Sequence, residues 1–415
     1  MRWMDDSARP ESAYAWMRLA ASLVLMTLGG VAMYGVVVVL PALQAEFGVT
    51  RAEASLPYTL TMIGFGFGGI LMGALADRFG VIVPVLLGGT MLGVGLILSG
   101  MSESLMQFAL AHGVLAGFLG CSATFAPLVA DTSLWFNKRR GIAVAIAISG
   151  NYVAGTLWPP ILQHFFDQSG WRATYIGVGI FCIVVMLPLA WMLRKRPPAL
   201  APGTAASSSH KAATPLGLSP NAFLTLLSIA GLACCVAMSM PQVHMVAYCT
   251  DLGYGAQRGA EIISVMLGFG ILSRLAFGWV SDRIGGLRTL LLGSALQGTA
   301  LVLYLPFDGL LSLYVVSALF GLFQGGLVPA YPIIVREFFP PREAGARVAI
   351  VLTATLLGMA LGGWLSGSIF DFTGSYRAAF INGIGWNLLN LTIAFGLLRR
   401  AQRQLFSQSS PSRAV

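Results

Sequence analysis

Twelve apolar stretches separated by short polar turns constrain this chain more than any other feature, because each is long enough to cross about 30 Å of hydrocarbon. Inside a bilayer the backbone N–H and C=O groups of such a stretch find partners only within the segment itself, so each is expected to be a helix. The stretches fall near 18–43, 53–76, 80–101, 104–135, 139–165, 172–193, 221–250, 257–282, 287–306, 309–338, 342–370 and 376–399. With 56% hydrophobic and 10% charged residues, the remaining surface is too small to solvate a water-soluble domain of 415 residues. The reading is an all-α membrane protein, embedded in the lipid bilayer, and the net charge of +9 is a matter of topology rather than of a nucleic-acid partner.

Residues 194–220 are rich in Pro, Ala and Ser and cannot bury a core. They divide the chain into an N-terminal six-helix bundle (1–193) and a C-terminal one (221–400), followed by a tail (401–415). This threading puts twenty of the 25 Lys and Arg residues on one face and four on the other, leaving Arg274 inside the membrane. Basic residues accumulate on the cytoplasmic side, so both termini and the linker are expected there. The N-terminal stretch carries acids and no short apolar run with a small-residue cleavage site, and is read as a cytoplasmic lead into a retained first span.

The halves repeat one another. GALADRFG at 73–80 matches GWVSDRIG at 278–285, WRATY at 171–175 matches YRAAF at 376–380, and Pro127 matches Pro332, each time at an offset of 205 (282 minus 77, 376 minus 171, 332 minus 127). Duplicated halves are the arrangement in which a central site opens alternately to either side. Asp77 and Arg78, with Asp282 and Arg283, lie at the ends of helices where a breakable charged contact could gate that exchange.

With Gly73, Leu75, Asp77, Arg78 and Gly80, and again with Gly278, Asp282, Arg283 and Gly285, the chain resembles the major facilitator superfamily. A narrower resemblance is to the monocarboxylate transporter family, carried by WFNKRRGIAVAIAISG at 135–150, by the lead PESAYAWMRL, which has Ser12 and Ala13 where that family usually has glycines, and by Arg274 four residues before Gly278. This resemblance implies twelve transmembrane helices in two pseudo-symmetric bundles, in a bacterial inner membrane, carrying lactate- or pyruvate-like anions with a proton as coupling ion. The related oxalate:formate exchangers add a lysine on the eleventh helix, but 347–363 has Thr353 and Thr355 and no lysine. One buried cation suits one carboxylate, whereas a dicarboxylate would leave a desolvated charge unmatched. The aspartate that the family often has one turn before the arginine is Gly270 here.

Arg274 is therefore the expected substrate cation, since a guanidinium cannot shed its proton to escape hydrocarbon. Counting 1.5 Å per residue from the helix ends places Tyr331 at a similar depth on the tenth helix. Asn151 in the middle of the fifth helix, Leu28 and Tyr34 on the first, Gln242 on the seventh and Thr355 on the eleventh complete the expected lining. His244, an imidazole toward the outer half of the seventh helix, is the expected proton-coupling group.

Five cysteines at no metal-ligand spacing point to no metal site, and no resident cofactor or obligatory protein partner is expected. Nothing in the pattern suggests an enzyme: there is no HExxH, no Ser/His pair in one span and no paired carboxylates at mid-membrane. Carboxylate exchange is the alternative to symport, and a transporter-like receptor that binds a carboxylate without moving it is the alternative of another class.

Overall fold

The computed structural model describes residues 11–195 and 215–409, so most of the 194–220 linker and the end of the tail lie outside the described residues. The spans are α1 (Ala13–Phe47), α2 (Arg51–Phe79), α3 (Ile82–Gly100), α4 (Leu105–Trp135), α5 and α6 (together Gly141–Trp191), α7 (Pro220–Asp251), α8 (Ala256–Ile284), α9 (Gly286–Leu303), α10 (Leu310–Phe338), α11 (Glu343–Thr373) and α12 (from Tyr376). α5 and α6 are parted by Gly170, whose φ of 77° and ψ of 158° no helix accommodates. Beyond its expected end at 399, α12 runs helically to Ser409, so part of the tail is the last turns of a span.

The duplication extends to the backbone. Gly80 (φ 87°, ψ 160°) and Gly285 (φ 81°, ψ 163°) end α2 and α8 in the same left-handed, extended conformation, 205 residues apart. Gly48 (φ 62°) and Gly253 (φ 81°) turn the chain after α1 and α7 at the same offset. A side chain at these positions would be strained, which is why the same residue serves in both repeats. Large apolar side chains such as Ile70, Val184, Leu272, Leu311 and Leu388 are exposed around the bundle, as a lipid-facing belt requires.

At the face where α1 begins and α12 ends, the two motifs behind the narrower resemblance interlock. The backbone N–H of Glu11 donates to the Trp135 carbonyl at 2.9 Å and the Glu11 carboxylate accepts from the Arg139 N–H at 2.8 Å. Trp16 meets Phe136 edge-on with ring centroids 5.0 Å apart, and Tyr14 meets Trp135 at 5.3 Å. Beneath them Arg18, only 2% exposed, pairs with Asp131 at 2.6 Å, donates to the Lys195 carbonyl at 3.0 Å and stacks over Trp135. Removing one member of a buried pair leaves the other charge uncompensated. Asp131→Ala is expected to cost about 3–5 kcal/mol, read as a lower unfolding temperature in detergent, whereas Glu343→Gln, at a half-open surface pair with Arg347, costs less than about 1 kcal/mol.

Candidate functional site

The two halves meet along two antiparallel helix crossings. In the first, Ser264 Oγ on α8 donates to the Thr156 carbonyl on α5 at 2.5 Å, and Arg274 Nη1 donates to the Ile148 carbonyl at 3.4 Å. Residue numbers rise on one helix as they fall on the other, so Gly270 stands opposite Tyr152. In the second, Thr59 Oγ1 on α2 donates to the Ala360 carbonyl on α11 at 3.2 Å, while Arg51 and Ala52 meet Asp371 further along. The pseudo-symmetry relates α2 to α8 and α5 to α11, so one crossing is the repeat of the other.

Arg274 sits in the first crossing, half-buried. Its guanidinium lies over the Tyr152 ring, 4.1 Å from the centroid, and its Nε is buried with no hydrogen-bond partner. No ion pair among the described residues involves it. Arg274 is not the only arginine that protein encloses, for two of the arginines assigned to the faces are buried as well. Arg18 and Arg51 are 2% and 8% exposed, yet each is matched to a carboxylate at 2.6 Å, with Asp131 and Asp251 respectively. What distinguishes Arg274 is the missing partner. Ser273 Oγ and Gln324 Nε2 are likewise buried without partners, and close packing joins their helices: a Cβ on Gly321 of α10 would lie 1.8 Å from the Met266 carbonyl oxygen, and one on Gly325 2.9 Å from Ser273 Cβ.

Of the other expected lining residues, the structure brings Tyr34 to this place. A Cβ on Gly155 would touch Tyr34 Cζ at 2.6 Å and Leu267 Cδ1 at 2.2 Å, and the Tyr34 phenol is an electrostatic neighbour of both Arg274 and Tyr152. Asn151 turns aside, its amide oxygen 3.4 Å from where a Cβ on Gly30 would stand, at the bend of α1. Leu28 is buried on α1. Gln242 Nε2 donates to Gln324 Oε1 at 3.1 Å, tying α7 to α10.

Tyr331 and Thr355 are held elsewhere. The Tyr331 hydroxyl donates to Asn390 Oδ1 at 3.2 Å, Asn390 Nδ2 donates to Ser294 Oγ at 2.6 Å, and the phenol is wholly enclosed by the C-terminal bundle. Thr355, 3% exposed, returns its hydroxyl to the Leu352 carbonyl at 2.7 Å. Depth along a helix is set by residue count, but the direction a side chain faces is set by how the helix is rotated, and α10 turns Tyr331 into its own half. His244 is fully buried, with Nδ1 at 3.1 Å from the Tyr376 hydroxyl and Nε2 at 2.8 Å from the Gly363 carbonyl. The charged residues of the repeated turn are exposed, Arg78 stacking on its neighbour Phe79 and Arg283 on Trp279; Asp77 and Asp282 make no ion pair among the described residues.

The list of expected residues left out Tyr152, Ser273 and Gln324. Tyr152 could have been found from the face that α5 repeats at Ile148, Tyr152 and Thr156, spaced one turn apart, had the partner helix been known.

Arranged so, the site offers a cation with an unused donor, aromatic walls and almost no competing acceptor. A cation so placed is able to hold a small anion where the two halves meet. The sequence model of the Major Facilitator Superfamily matches residues 21–312 and 262–413. The chain is similar to monocarboxylate transporter 13 of Bos taurus, 27% identical over 90% of this chain and 86% of that protein, and to monocarboxylate transporter 11 of Mus musculus, 26% identical over 94% and 89%. Its fold is similar to that of a bacterial homologue of the human lysosomal transporter Spinster in an inward-facing and occupied conformation, with a TM-score of 0.72 at 15% identity, covering 97% of this chain and all of that one. Helices, repeat and family match agree: the chain belongs to the Major Facilitator Superfamily and is a multi-pass membrane transporter, not an enzyme.

Proposed function

We propose that the protein carries short monocarboxylates of lactate or pyruvate size, together with a proton, by alternating access. The observation that supports this reading is the one unmatched guanidinium at the crossing of the halves. A carboxylate can take two parallel N–H bonds from Arg274 and neutralise it. Tyr34, Tyr152 and Leu267 pack closely beside the guanidinium, an apolar surrounding that suits the organic part of a small carboxylate. Rocking of the two bundles about this point would expose the bound anion to either face, with the face of the termini cytoplasmic.

Carboxylate exchange is the second reading, favoured by the absence of any carboxylate bonded to Arg274 among the described residues, since such a group would be the obvious proton carrier. Proteoliposomes separate the two. For one-to-one symport, an outside one pH unit more acidic drives labelled lactate to about tenfold accumulation, the concentration equivalent of about 1.4 kcal/mol, and an uncoupler collapses it. Uptake that ignores the pH gradient and requires carboxylate loaded inside would establish exchange; no uptake of any short carboxylate in the panel would reject the assignment.

A further inference from the structure

Apart from Arg274, the arginines that lie over aromatic rings fall into two groups. Arg18, Arg51, Arg172 and Arg347 are each also paired with a carboxylate, at 2.6, 2.6, 2.7 and 2.5 Å, so their charge is matched within the protein. Four others have a ring and no counter-charge. Arg78 lies 5.2 Å from the Phe79 centroid, Arg194 5.9 Å from that of Trp191, Arg283 3.6 Å from that of Trp279 and Arg399 4.5 Å from that of Phe395. None of the four makes an ion pair or a side-chain hydrogen bond among the described residues.

All four stand on the face where α1 begins, at the ends of α2, α6 and α8 and at the place on α12 where its apolar stretch gives out. The rings beneath them point outward: Phe79, Trp191, Trp279 and Phe395 are 50, 56, 57 and 44% exposed, in line with the lipid-facing belt. At this height aromatic rings rest between hydrocarbon and headgroups, and long cationic side chains reach past them into the polar zone. On the opposite face, by contrast, Arg51, Arg172 and Arg258 are each paired with a carboxylate. The repeat adds a second observation. Arg78 and Arg283 are equivalent at the offset of 205, and so are Arg194 and Arg399. Their rings are not equivalent: the counterparts of Phe79 and Trp191 are Ile284 and Gly396, and those of Trp279 and Phe395 are Ala74 and Ala190. Each half keeps the arginine and supplies a ring from a different position, which copying of one half into the other does not by itself produce.

We propose that these four arginine–aromatic pairs are binding sites for anionic phospholipids, whose phosphates supply the missing counter-charge. A guanidinium lying against a ring keeps its N–H donors free at its edge, and that planar fork matches two oxygens of a phosphate diester. The ring offers the same lipid an apolar surface just below its headgroup. The bilayer itself holds the phosphate at the height of the arginine, an anchor that a soluble anion lacks. A zwitterionic lipid carries a cation of its own beside the phosphate, so the attraction that draws basic residues to an anionic leaflet is largely missing for it. The sites are independent of which solute the protein carries.

The test titrates the full chain in detergent micelles with phosphatidylglycerol, with phosphatidylcholine of the same acyl chains and with inorganic phosphate, and counts retained lipid by native mass spectrometry. Phosphatidylglycerol is expected to be retained about tenfold better than phosphatidylcholine, with inorganic phosphate unable to displace it. Arg194→Gln combined with Arg399→Gln should lower the number of retained phosphatidylglycerol molecules by about two. Trp191→Leu combined with Phe395→Leu leaves every charge in place and should weaken retention about threefold, and it carries the test if the arginine variant does not fold. Arg288→Gln combined with Arg336→Gln removes two exposed arginines of the same face that have no ring beneath them, and should leave the count unchanged. Equal retention of the two lipids would overturn the proposal. So would an equal loss from Arg288→Gln with Arg336→Gln, which would mean a diffuse basic surface. Displacement of the lipid by inorganic phosphate would assign the arginines to a soluble anion and overturn it as well.

Discussion

Uptake of labelled lactate by the Arg274→Gln protein is expected to fall by about two orders of magnitude, with the protein still inserted and monodisperse. The argument starts from what the substrate loses. A carboxylate leaving water for the crossing of α5 and α8 gives up hydration worth several kcal/mol, and the guanidinium over Tyr152 can replace it with charge and two aligned donors. Glutamine keeps a donor and loses the charge, so about 3 kcal/mol of binding goes, equal to about a hundredfold in affinity. Arg274→Lys restores a charge without the planar fork and without a flat face for Tyr152, and should recover a part of the rate. The structure needs Arg274 very little, since its one bond within the protein is 3.4 Å long, and an unfolded glutamine variant would contradict that view as surely as parental uptake would contradict the binding role.

Gly270→Asp is the second large effect, and it places an acid where the monocarboxylate transporter family often has one. A Cβ at this position would stand 2.4 Å from Tyr152 Cε1 and 2.7 Å from Cδ1, closer than real side chains approach. The ring has to leave its station under the guanidinium. The new carboxylate, one turn before Arg274 on the same helix, would then pair with it and compete with the substrate. Loss of uptake comparable to that of Arg274→Gln is expected. Gly270→Ala separates the two causes: it imposes the crowding alone, about 1–3 kcal/mol, and should reduce uptake only in part. Parental uptake by Gly270→Asp would mean that Tyr152 and the unmatched charge are both dispensable. In this chain the space of the missing aspartate is filled by an aromatic ring from the opposite half, so glycine and tyrosine form one arrangement across the boundary.

Side chains around the site were legible in unequal measure. Arg274 stands out in the sequence because a permanent cation inside an apolar run has few explanations. Tyr34 was reachable by the same logic of a polar tip in an apolar helix. Tyr331 was not: counting residues gave its height, but only the rotation of α10 showed its hydroxyl bound to Asn390 within the C-terminal half. Arg18 and Arg51 lie near helix ends and read as ordinary face charges, yet their partners are 113 and 200 residues away, and no local pattern announces a pairing over such distances. His244 had the right chemistry for a proton carrier and a position whose neighbours could not be read, because the carbonyl and phenol that enclose it come from two other helices.

The apolar spans, the repeat at 205 residues and the presence of an arginine within one apolar run were determined by the sequence alone, since hydrocarbon thickness and the cost of burying charge act on each segment independently of its neighbours. Which arginines are matched and which is not, which tyrosine faces Arg274, and how Arg51 crosses from one half to the other were decided only by the tertiary structure. These depend on the rotation and register of helices against one another, and close approach at glycines such as Gly270, Gly321 and Gly325 sets both.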